Sequence, residues 1–248
     1  DRAGLGRAGY PKERSVPAPA TALGKELASQ IEARGPVSVY EYMKQCLLHP
    51  RHGYYARAGA ERAFGAAGDF VTAPELSQLF GELVGVWFVS EWVRLGKPAT
   101  VRLVEVGPGR GTLAADILRA TTAWPPFRRA ARDVRLVEPS EALRAAQRRT
   151  LGARPAATHE RKPDAPTETV EWRVDDFGGA DFGTTVTWHA SLDDVPDDDA
   201  PTFLVGQEVL DAFPAYQFVK TPTGWREKLV DVDDAGGFRF VLAPAPTP

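Results

Sequence analysis

The stretch VRLVEVGPGRGT at residues 101–112 constrains the fold of this chain more than any other segment. An apolar run of strand length ends there in Gly107, Gly109 and Gly111, and the amphipathic segment TLAADILRA follows at once. Glycine adopts backbone conformations that other residues avoid, and it lets a ligand approach the main chain closely. The segment therefore predicts a strand, a bare ligand-binding turn and a helix, the opening unit of a parallel α/β fold.

Further strand and helix segments follow this unit in alternation. DVRLVE and SEALRAAQRRT repeat the order of strand and helix, and TVTWHASL and PTFLVGQEVL supply two later strands. This alternation predicts a parallel sheet, with a solvated loop at 153–169, where prolines and charges replace leucine, isoleucine and valine. The segment from 215 to 244 turns at Thr223–Gly224 and at 235–237, which predicts antiparallel β ribbons.

Three helices are predicted before the sheet. The first covers TALGKELASQIEARGP and ends at Gly35–Pro36, and the second begins at the capping residue Ser38. The third begins at Thr72, with Glu75 at capping-box spacing, and continues to Gly96. Because the third helix is apolar on more than one side, we expect it to pack against the neighbouring domain.

These elements predict a tail at 1–20, an N-terminal helical domain at 21–98 and a Rossmann-like domain at 99–248. The tail is rich in glycine, alanine and proline, and its arginines outnumber its acids. That composition fits the remnant of an organellar targeting segment, and it equally fits a disordered tail. The chain starts at Asp1 rather than at methionine, so we expect that an upstream segment has been removed or left out.

Composition narrows the class of protein. A chain of 248 residues with 43% hydrophobic and 25% charged residues can bury a core. Its net charge of -3 argues against binding to duplex nucleic acid through phosphate contacts. The single cysteine, Cys46, excludes an internal disulfide, predicts a reducing compartment and is expected to be a buried, inert thiol. The longest apolar stretch, LVGVWFV, is far shorter than the roughly 20 residues that span a bilayer.

The glycine spacing separates two kinds of cofactor. A dinucleotide fold has G-x-G-x-x-G, but Thr112 stands where its third glycine belongs. The pattern E-x-G-x-G-x-G, which starts at Glu105, instead resembles the first motif of S-adenosylmethionine-dependent methyltransferases. In that family the loop passes under the methionine and ribose of the cofactor, and Glu138, which ends the second strand, is placed to accept hydrogen bonds from both ribose hydroxyls. A dinucleotide enzyme remains the alternative from the pattern alone.

Four longer blocks are similar to the MidA-like family, mitochondrial and bacterial methyltransferases associated with respiratory complex I assembly. They are GPVSVYEYMKQCLLHPRHGYY, FGAAGDFVTAPELSQLFGELVGVWFVSEW, LVEVGPGRGTLAADILR and GQEVLDAFPAYQFVKTPTGWREKLVD. The resemblance runs from about residue 21 to about 232 and implies a protein-arginine methyltransferase of the mitochondrial matrix, or of the cytoplasm in a bacterium. The implied substrate is an arginine of a complex I core subunit that helps line the quinone site, dimethylated symmetrically. The implied cofactor is S-adenosylmethionine, with neither a nucleic-acid partner nor stable membrane insertion.

The resemblance also assigns site residues. Those expected to contact the cofactor at the glycine loop and after the next strand are Glu105, Gly107, Gly109, Gly111, Thr112 and Glu138. A loop from the helical domain is expected to close over the cofactor through Asp69, Thr72, Glu75 and Gln78, although Thr72 and Glu75 are equally explained as a capping box. No histidine spacing predicts a metal site, and His189 is expected to be a strand-end residue near the adenine rather than a general base.

Glu208 and Asp211 are the predicted catalytic residues. Both follow the fourth strand, and carboxylates can gather the guanidinium charge of an arginine substrate and receive its released proton. Asp211 is alternatively the cap of the next turn. The family usually has asparagine where this chain has Gln207, which keeps an amide at that position.

Two other readings of the sequence remain open. About four strands precede the β ribbons, whereas a class I methyltransferase sheet has seven, so we expect C-terminal strands to be missing from this chain. A non-catalytic complex I assembly factor that retains the methyltransferase fold is therefore the main alternative. A nucleic-acid methyltransferase is disfavoured, because neither an Asn/Asp-Pro-Pro-aromatic motif nor a Pro-Cys nucleophile occurs in the sequence.

Overall fold

The computed structural model describes residues 21–54, 71–156, 172–174, 182–197 and 199–247. In chain order its elements are α1 (Ala22–Arg34), β1 (Val37–Ser38), α2 (Val39–Leu48), α3 (Ala73–Leu76), α4 (Gln78–Arg94), β2 (Arg102–Val106), α5 (Thr112–Thr121), α6 (Pro125–Ala130), β3 (Asp133–Val137), α7 (Glu141–Thr150), β4 (Ala153–Pro155), β5 (Trp172–Val174), β6 (Thr185–His189), β7 (Thr202–Val205), β8 (Phe218–Thr221), β9 (Gly224–Val232) and β10 (Phe238–Leu242). Short 3-10 turns lie at Leu192–Asp194 and Leu210–Ala212.

The chain divides into two compact units. One combines Asp1–Arg57 with Leu210–Pro248, and the other is Ala58–Val209. This division differs from the predicted boundary at residue 98. The physical reason is that α4 buries Phe88 and Trp92 in the same apolar core as the parallel sheet, so the helix belongs with the sheet that follows it.

The unit Ala58–Val209 is built on a six-stranded sheet in the order β4-β5-β6-β3-β2-β7. Strands β6, β3, β2 and β7 are parallel, while β4 and β5 are antiparallel at one edge. The predicted α/β fold is confirmed. The parallel strands occur in the Rossmann-like order 3-2-1-4, and ligands of such sheets bind at the carboxyl ends where the order reverses, here between β2 and β7.

The prediction of a loop at 153–169 is wrong for its first three residues. Ala153–Pro155 forms β4, whose register places Ala153 opposite Val174 and Pro155 opposite Trp172 on β5. Pairing with a distant strand, which local composition does not encode, overrides the loop signal. Residues 157–169 of the predicted loop lie outside the described part of the chain.

Glycines allow α4 to pack closely on α5. A Cβ atom at Gly81 would lie 2.5 Å from the Asp116 Cβ, and one at Gly85 would lie 3.2 Å from the Ile117 carbonyl oxygen. The opposite side of α4, which includes Leu83 and Trp87, is exposed. Only one of its two apolar sides therefore packs within this unit. A search of the described residues for a membrane-spanning helix finds none with the required length and hydrophobicity.

The predicted third helix is interrupted at Ser77. The Ser77 hydroxyl accepts a hydrogen bond from the Leu79 N–H at 3.2 Å and so caps α4, while α3 is a separate single turn. The predicted capping box of Thr72 and Glu75 is wrong, since Thr72 makes no side-chain cap. The Glu75 carboxylate is engaged at the glycine loop instead.

The unit that combines Asp1–Arg57 with Leu210–Pro248 packs α1 and α2 on an antiparallel sheet of order β1-β9-β10, with β8 paired to β9. The predicted β ribbons are confirmed, and positive φ angles of 116° at Gly224 and 78° at Gly236 accommodate their turns. Ser38 caps α2 as predicted, accepting from the Glu41 N–H at 3.0 Å. Burial raises the pKa of the half-buried Cys46 thiol, which disfavours its reactive thiolate form.

We expect Gly81→Ala to destabilise the protein by about 1–2 kcal/mol, because the added methyl group overpacks the contact with α5 by more than alanine gains in helix propensity. Urea denaturation followed by circular dichroism measures the change. Ser90→Ala, on the exposed side of the same helix, is the control and should change the free energy of unfolding by no more than about 0.5 kcal/mol. Equal stability of the two variants would contradict the close packing of α4 on α5.

Candidate functional site

The turn between β2 and α5 has a left-handed backbone at three alternate positions. Gly107, Gly109 and Gly111 have φ angles of 64°, 54° and 84°. The Gly107 N–H donates to the Val137 carbonyl at 3.0 Å, and the Gly111 N–H donates to the Pro108 carbonyl at 2.7 Å. The predicted strand, turn and helix are confirmed, and the turn lies at the carboxyl edge of the sheet.

Protein packing, and not only ligand approach, explains two of these glycines. A Cβ atom at Gly107 would lie 2.4 Å from the Val209 Cγ2, and one at Gly111 would lie 3.3 Å from the Gln147 Cα and Cγ. Sequence reasoning missed both Val209 and Gln147 as neighbours of the loop. Of the three glycines, Gly109 is therefore the one at which close approach of a cofactor is the expected reason for a missing side chain.

Gln147 on α7 is a fully buried amide that joins separate parts of the site. Its Nε2 donates to the Gly109 carbonyl at 2.8 Å, and its Oε1 accepts from the Trp188 Nε1 at 2.7 Å. Its side chain also favours the ionised form of the Glu138 carboxylate and so lowers the pKa of Glu138. The sequence did carry a signal, because Gln147 is a polar residue four positions after Leu143 on the buried face of an amphipathic helix.

Glu138 lies directly after β3 and is only 5% exposed. Its carboxylate accepts from the Ser140 N–H at 2.8 Å, and its backbone N–H donates to the His189 carbonyl at 2.8 Å. Burial raises the pKa of Glu138 to about 7, against the opposing effects of the Ser140 N–H, the Gln147 amide and the Arg144 charge. The acid predicted to bind the ribose is therefore buried at the strand end and is half ionised near neutral pH.

Glu105, on β2, connects the strand before the glycine loop to the helix after it. The N-cap of α5 is Gly111, which has no side chain, and the Glu105 carboxylate accepts a hydrogen bond from the Ala114 N–H in the first turn of that helix. The other carboxylate oxygen has no partner in the described part of the chain, and Glu105 lines an apolar cavity of about 20 Å³. Burial raises the pKa of Glu105 to about 8, so the side chain is protonated at neutral pH.

Among the described residues of the predicted covering loop, Glu75 reaches the glycine turn. Its carboxylate accepts from the Thr112 hydroxyl at 2.8 Å and lies 3.8 Å from the Arg110 guanidinium. Gln78 instead donates to Glu82 at 2.7 Å along α4. Thr72 contributes backbone acceptors to its own short turn. Asp69, the fourth predicted member, lies outside the described residues.

Glu208 follows β7 in a left-handed conformation, with φ of 50°. The Glu208 carboxylate is exposed and accepts from the Gln207 amide at 3.0 Å and from the Ala73 N–H at 3.4 Å. A strained non-glycine residue at the ligand-binding edge of a sheet is typical of functional sites.

Val209 inserts next to two glycines after this strained residue. A Cβ atom at Gly206 would lie 3.0 Å from the Val209 Cγ1, and one at Gly107 would lie 2.4 Å from its Cγ2. Val209 thus ties the chain after β7 to the glycine loop. Asp211 is exposed at the centre of the 3-10 turn Leu210–Ala212, in the other compact unit, and its catalytic role remains a prediction.

His189 and Trp188 end strand β6 as buried residues. Burial lowers the pKa of His189, and the nearby Arg135 charge lowers it further, so the ring is neutral at neutral pH. The Trp188 indole donates to Gln147 and packs edge-on to Trp172, with the ring centroids 6.0 Å apart. Among the described residues, no group of three or more histidine, cysteine, aspartate or glutamate side chains could hold a metal ion.

The buried Glu105 carboxyl should make stability depend on pH. Its pKa is about 8 in the folded chain against an ordinary 4.5, so the folded state retains a proton that the unfolded state releases. The contribution of Glu105 to stability therefore falls as pH rises from about 4.5 to 8 and is constant above that range. We expect the difference in unfolding free energy between wild type and Glu105→Gln to decline across this window in urea titrations.

Glu138→Gln is the matched comparison for that experiment. Its difference from wild type should stop changing near pH 7, one unit earlier, because the pKa of Glu138 is about 7. A wild-type to Glu105→Gln difference that is the same at pH 5 and pH 8 would contradict the protonated state of Glu105.

Comparison with known proteins agrees with this geometry. A family model described as "Putative S-adenosyl-L-methionine-dependent methyltransferase" matches residues 83–248. The mouse protein named "Protein arginine methyltransferase NDUFAF7, mitochondrial" is 41% identical over 232 residues, which are 92% of this chain and 50% of the mouse protein. Its human counterpart is 40% identical over 233 residues, which are 93% of this chain and 50% of the human protein. The chain thus spans about half the length of the curated relatives it matches.

A solved structure is similar in fold as well as sequence. It is the crystal structure of a "likely methyl transferase" from Burkholderia thailandensis bound to S-adenosyl-homocysteine, with a TM-score of 0.65 and 31% identity. The similarity covers 94% of this chain and 54% of that one. The methyltransferase resemblance predicted from the sequence blocks is confirmed, and the chain belongs to this family of S-adenosyl-L-methionine-dependent methyltransferases.

Proposed function

We propose that the unit Ala58–Val209 binds S-adenosylmethionine and that the chain acts in protein-arginine methylation. The observation that carries the proposal is the turn of Gly107, Gly109 and Gly111 at the carboxyl edge of the sheet, with the buried Glu138 carboxylate directly after the adjacent strand. The site thereby pairs a bare turn with a carboxylate acceptor after the adjacent strand. The Burkholderia structure, bound to S-adenosyl-homocysteine, supports the choice of cofactor.

The side chains at this edge fit such a cofactor. A nucleoside sulfonium carries no phosphate, so it needs no phosphate-binding helix N-terminus, and Glu138 can accept hydrogen bonds from a ribose diol. The glycine loop would hold the methionine and ribose portions, with Glu75 keeping Thr112 and Arg110 in place. When bound, S-adenosylmethionine supplies a methyl group on sulfur that is open to in-line displacement, and the protein contributes mainly alignment.

Glu208 is the proposed acceptor for the substrate guanidinium. Its carboxylate is exposed at the edge of β7, next to the strand-order reversal where α/β sheets bind ligands. A carboxylate there can pair with guanidinium nitrogens and accept the proton that the methylated nitrogen releases. The names of the mouse and human relatives, which specify protein arginine methylation, support arginine as the substrate residue.

The finer assignment follows the family resemblance. We propose a complex I core subunit as the protein substrate, symmetric dimethylation as the product and the mitochondrial matrix as the location. The word "mitochondrial" in the names of the relatives supports the organelle. Mass spectrometry of complex I subunits from cells with and without this protein would test the substrate and the product.

Cofactor binding should depend on the ionised form of Glu138. Because its pKa is about 7, we expect affinity for S-adenosyl-homocysteine to fall as pH drops below about 7, where the carboxyl group becomes protonated. Glu138→Gln should weaken binding by at least about tenfold at pH 8, the loss expected for a hydrogen bond to a charged group. Isothermal titration calorimetry measures both effects.

Glu141→Gln provides the control for that measurement. Glu141 lies on the exposed surface of α7, where it pairs with Arg148, and its substitution should leave affinity and its pH dependence unchanged. Absence of any binding heat with either S-adenosylmethionine or its demethylated product would contradict the proposed function.

Glu208→Gln should separate catalysis from cofactor binding. We expect methyl transfer to arginine peptides to fall by at least about tenfold, while affinity for S-adenosyl-homocysteine stays within about twofold of wild type. Transfer is measured with methyl-labelled S-adenosylmethionine, and Asp211→Asn tests the second predicted carboxylate in the same assay. Cofactor binding without transfer to any arginine substrate would favour a non-catalytic assembly factor instead.

A further inference from the structure

We propose that Gln147 is the positioning residue that makes the glycine loop and Glu138 act as one binding site for the nucleoside of the cofactor. This inference deepens the proposed function and rests on it. Gln147 itself is enclosed in the protein, so it acts through the loop and the carboxylate.

The direction of each hydrogen bond of Gln147 is fixed by its partners. An indole N–H can only donate, so the atom that faces the Trp188 Nε1 must be the amide oxygen of Gln147. The NH₂ group then donates to the Gly109 carbonyl, and in the same orientation it favours the ionised form of the Glu138 carboxylate. Trp188 therefore selects the one amide orientation that can hold the loop and favour the charged acid.

Gln147 also contacts the loop through packing. Its Cα and Cγ lie 3.3 Å from the position that a Cβ atom of Gly111 would occupy. The same residue thus fixes the loop at the Gly109 carbonyl by a hydrogen bond and at Gly111 by contact. A displacement of α7 would disturb both parts of the site together.

The remaining groups around Glu138 do not replace this amide. The Ser140 N–H donates to the carboxylate, and the Arg144 charge favours its ionised form. His189 on β6 accepts the Glu138 N–H through its backbone carbonyl, and its ring is kept neutral by burial and by the Arg135 and Arg144 charges. Gln147 lowers the pKa of Glu138, so its loss should raise that pKa.

The test uses Gln147→Met, which keeps a long unbranched side chain but removes the amide. We expect the Kd for S-adenosyl-homocysteine at pH 8 to rise at least about tenfold. The pH at which affinity is half-maximal should move above its wild-type value, a change that general loosening of the fold would not produce. Gln45→Met, which removes a half-buried amide that donates to Glu41 in the other unit, should alter neither quantity.

Trp188→Phe is the second variant; it removes the N–H donor that orients the Gln147 amide, together with part of the ring that packs on Trp172. It should shift the pH midpoint in the same direction by a smaller amount, and it decides the matter if Gln147→Met does not fold. A folded Gln147→Met with the wild-type Kd and pH midpoint would overturn the inference. If Trp188→Phe folds and Gln147→Met does not, a wild-type pH midpoint of affinity in Trp188→Phe would also overturn the inference.

Titration of the ligand-free protein separates this inference from the proposed function. Carbon NMR of labelled glutamate carboxyl groups follows Glu138, whose resonance is assigned by its loss in Glu138→Gln. An upward shift of the Glu138 midpoint in Gln147→Met supports the inference even if the wild type binds no cofactor, in which case the proposed function alone fails. An unshifted Glu138 midpoint overturns the inference whatever the binding data give.

Discussion

The absence of Cβ atoms at the edge of β2 is the constraint on which the site depends. Val209 occupies the space next to Gly107, and Gln147 occupies the space next to Gly111. These two contacts bring the chain after β7 and the helix α7 against the same turn. Any side chain at either glycine would have to displace them, and would also have to adopt a positive φ angle that costs about 1–2 kcal/mol.

The same contacts explain how the left-handed backbone of Glu208 is tolerated. The left-handed residue lies between Gln207, to which it is hydrogen-bonded, and Val209, whose side chain is inserted next to Gly107 and Gly206. Packing of an apolar side chain can offset a backbone cost of that size. The carboxylate is thereby held at the sheet edge by its neighbours' packing, while its own side chain stays exposed for a substrate.

The sequence predicted the features that local pattern encodes. The parallel strands, the glycine turn, the Ser38 cap and the β ribbons follow from periodicity, turn residues and capping signals. It did not predict Gln147 or Val209, because their roles depend on contacts between residues far apart in the chain. The capping box at Thr72 failed for a related reason: Glu75 meets the Thr112 hydroxyl, an interaction that local spacing cannot reveal. The sequence also did not assign α4 to the unit of the parallel sheet, because its glycine contacts with α5 join residues far apart in the chain.

Two buried glutamates of this site show how position decides chemistry. Glu105 lies within β2, one residue before its end, and Glu138 directly follows the neighbouring β3; burial raises the pKa of both carboxyl groups. Glu105 has one N–H donor and an apolar cavity, so it stays protonated and caps a helix. Glu138 has a backbone donor, the Gln147 amide and the Arg144 charge, so its pKa lies about one unit lower. Ionisation of Glu138 near neutral pH therefore costs little, and hydroxyl donors of a bound nucleoside would favour it further.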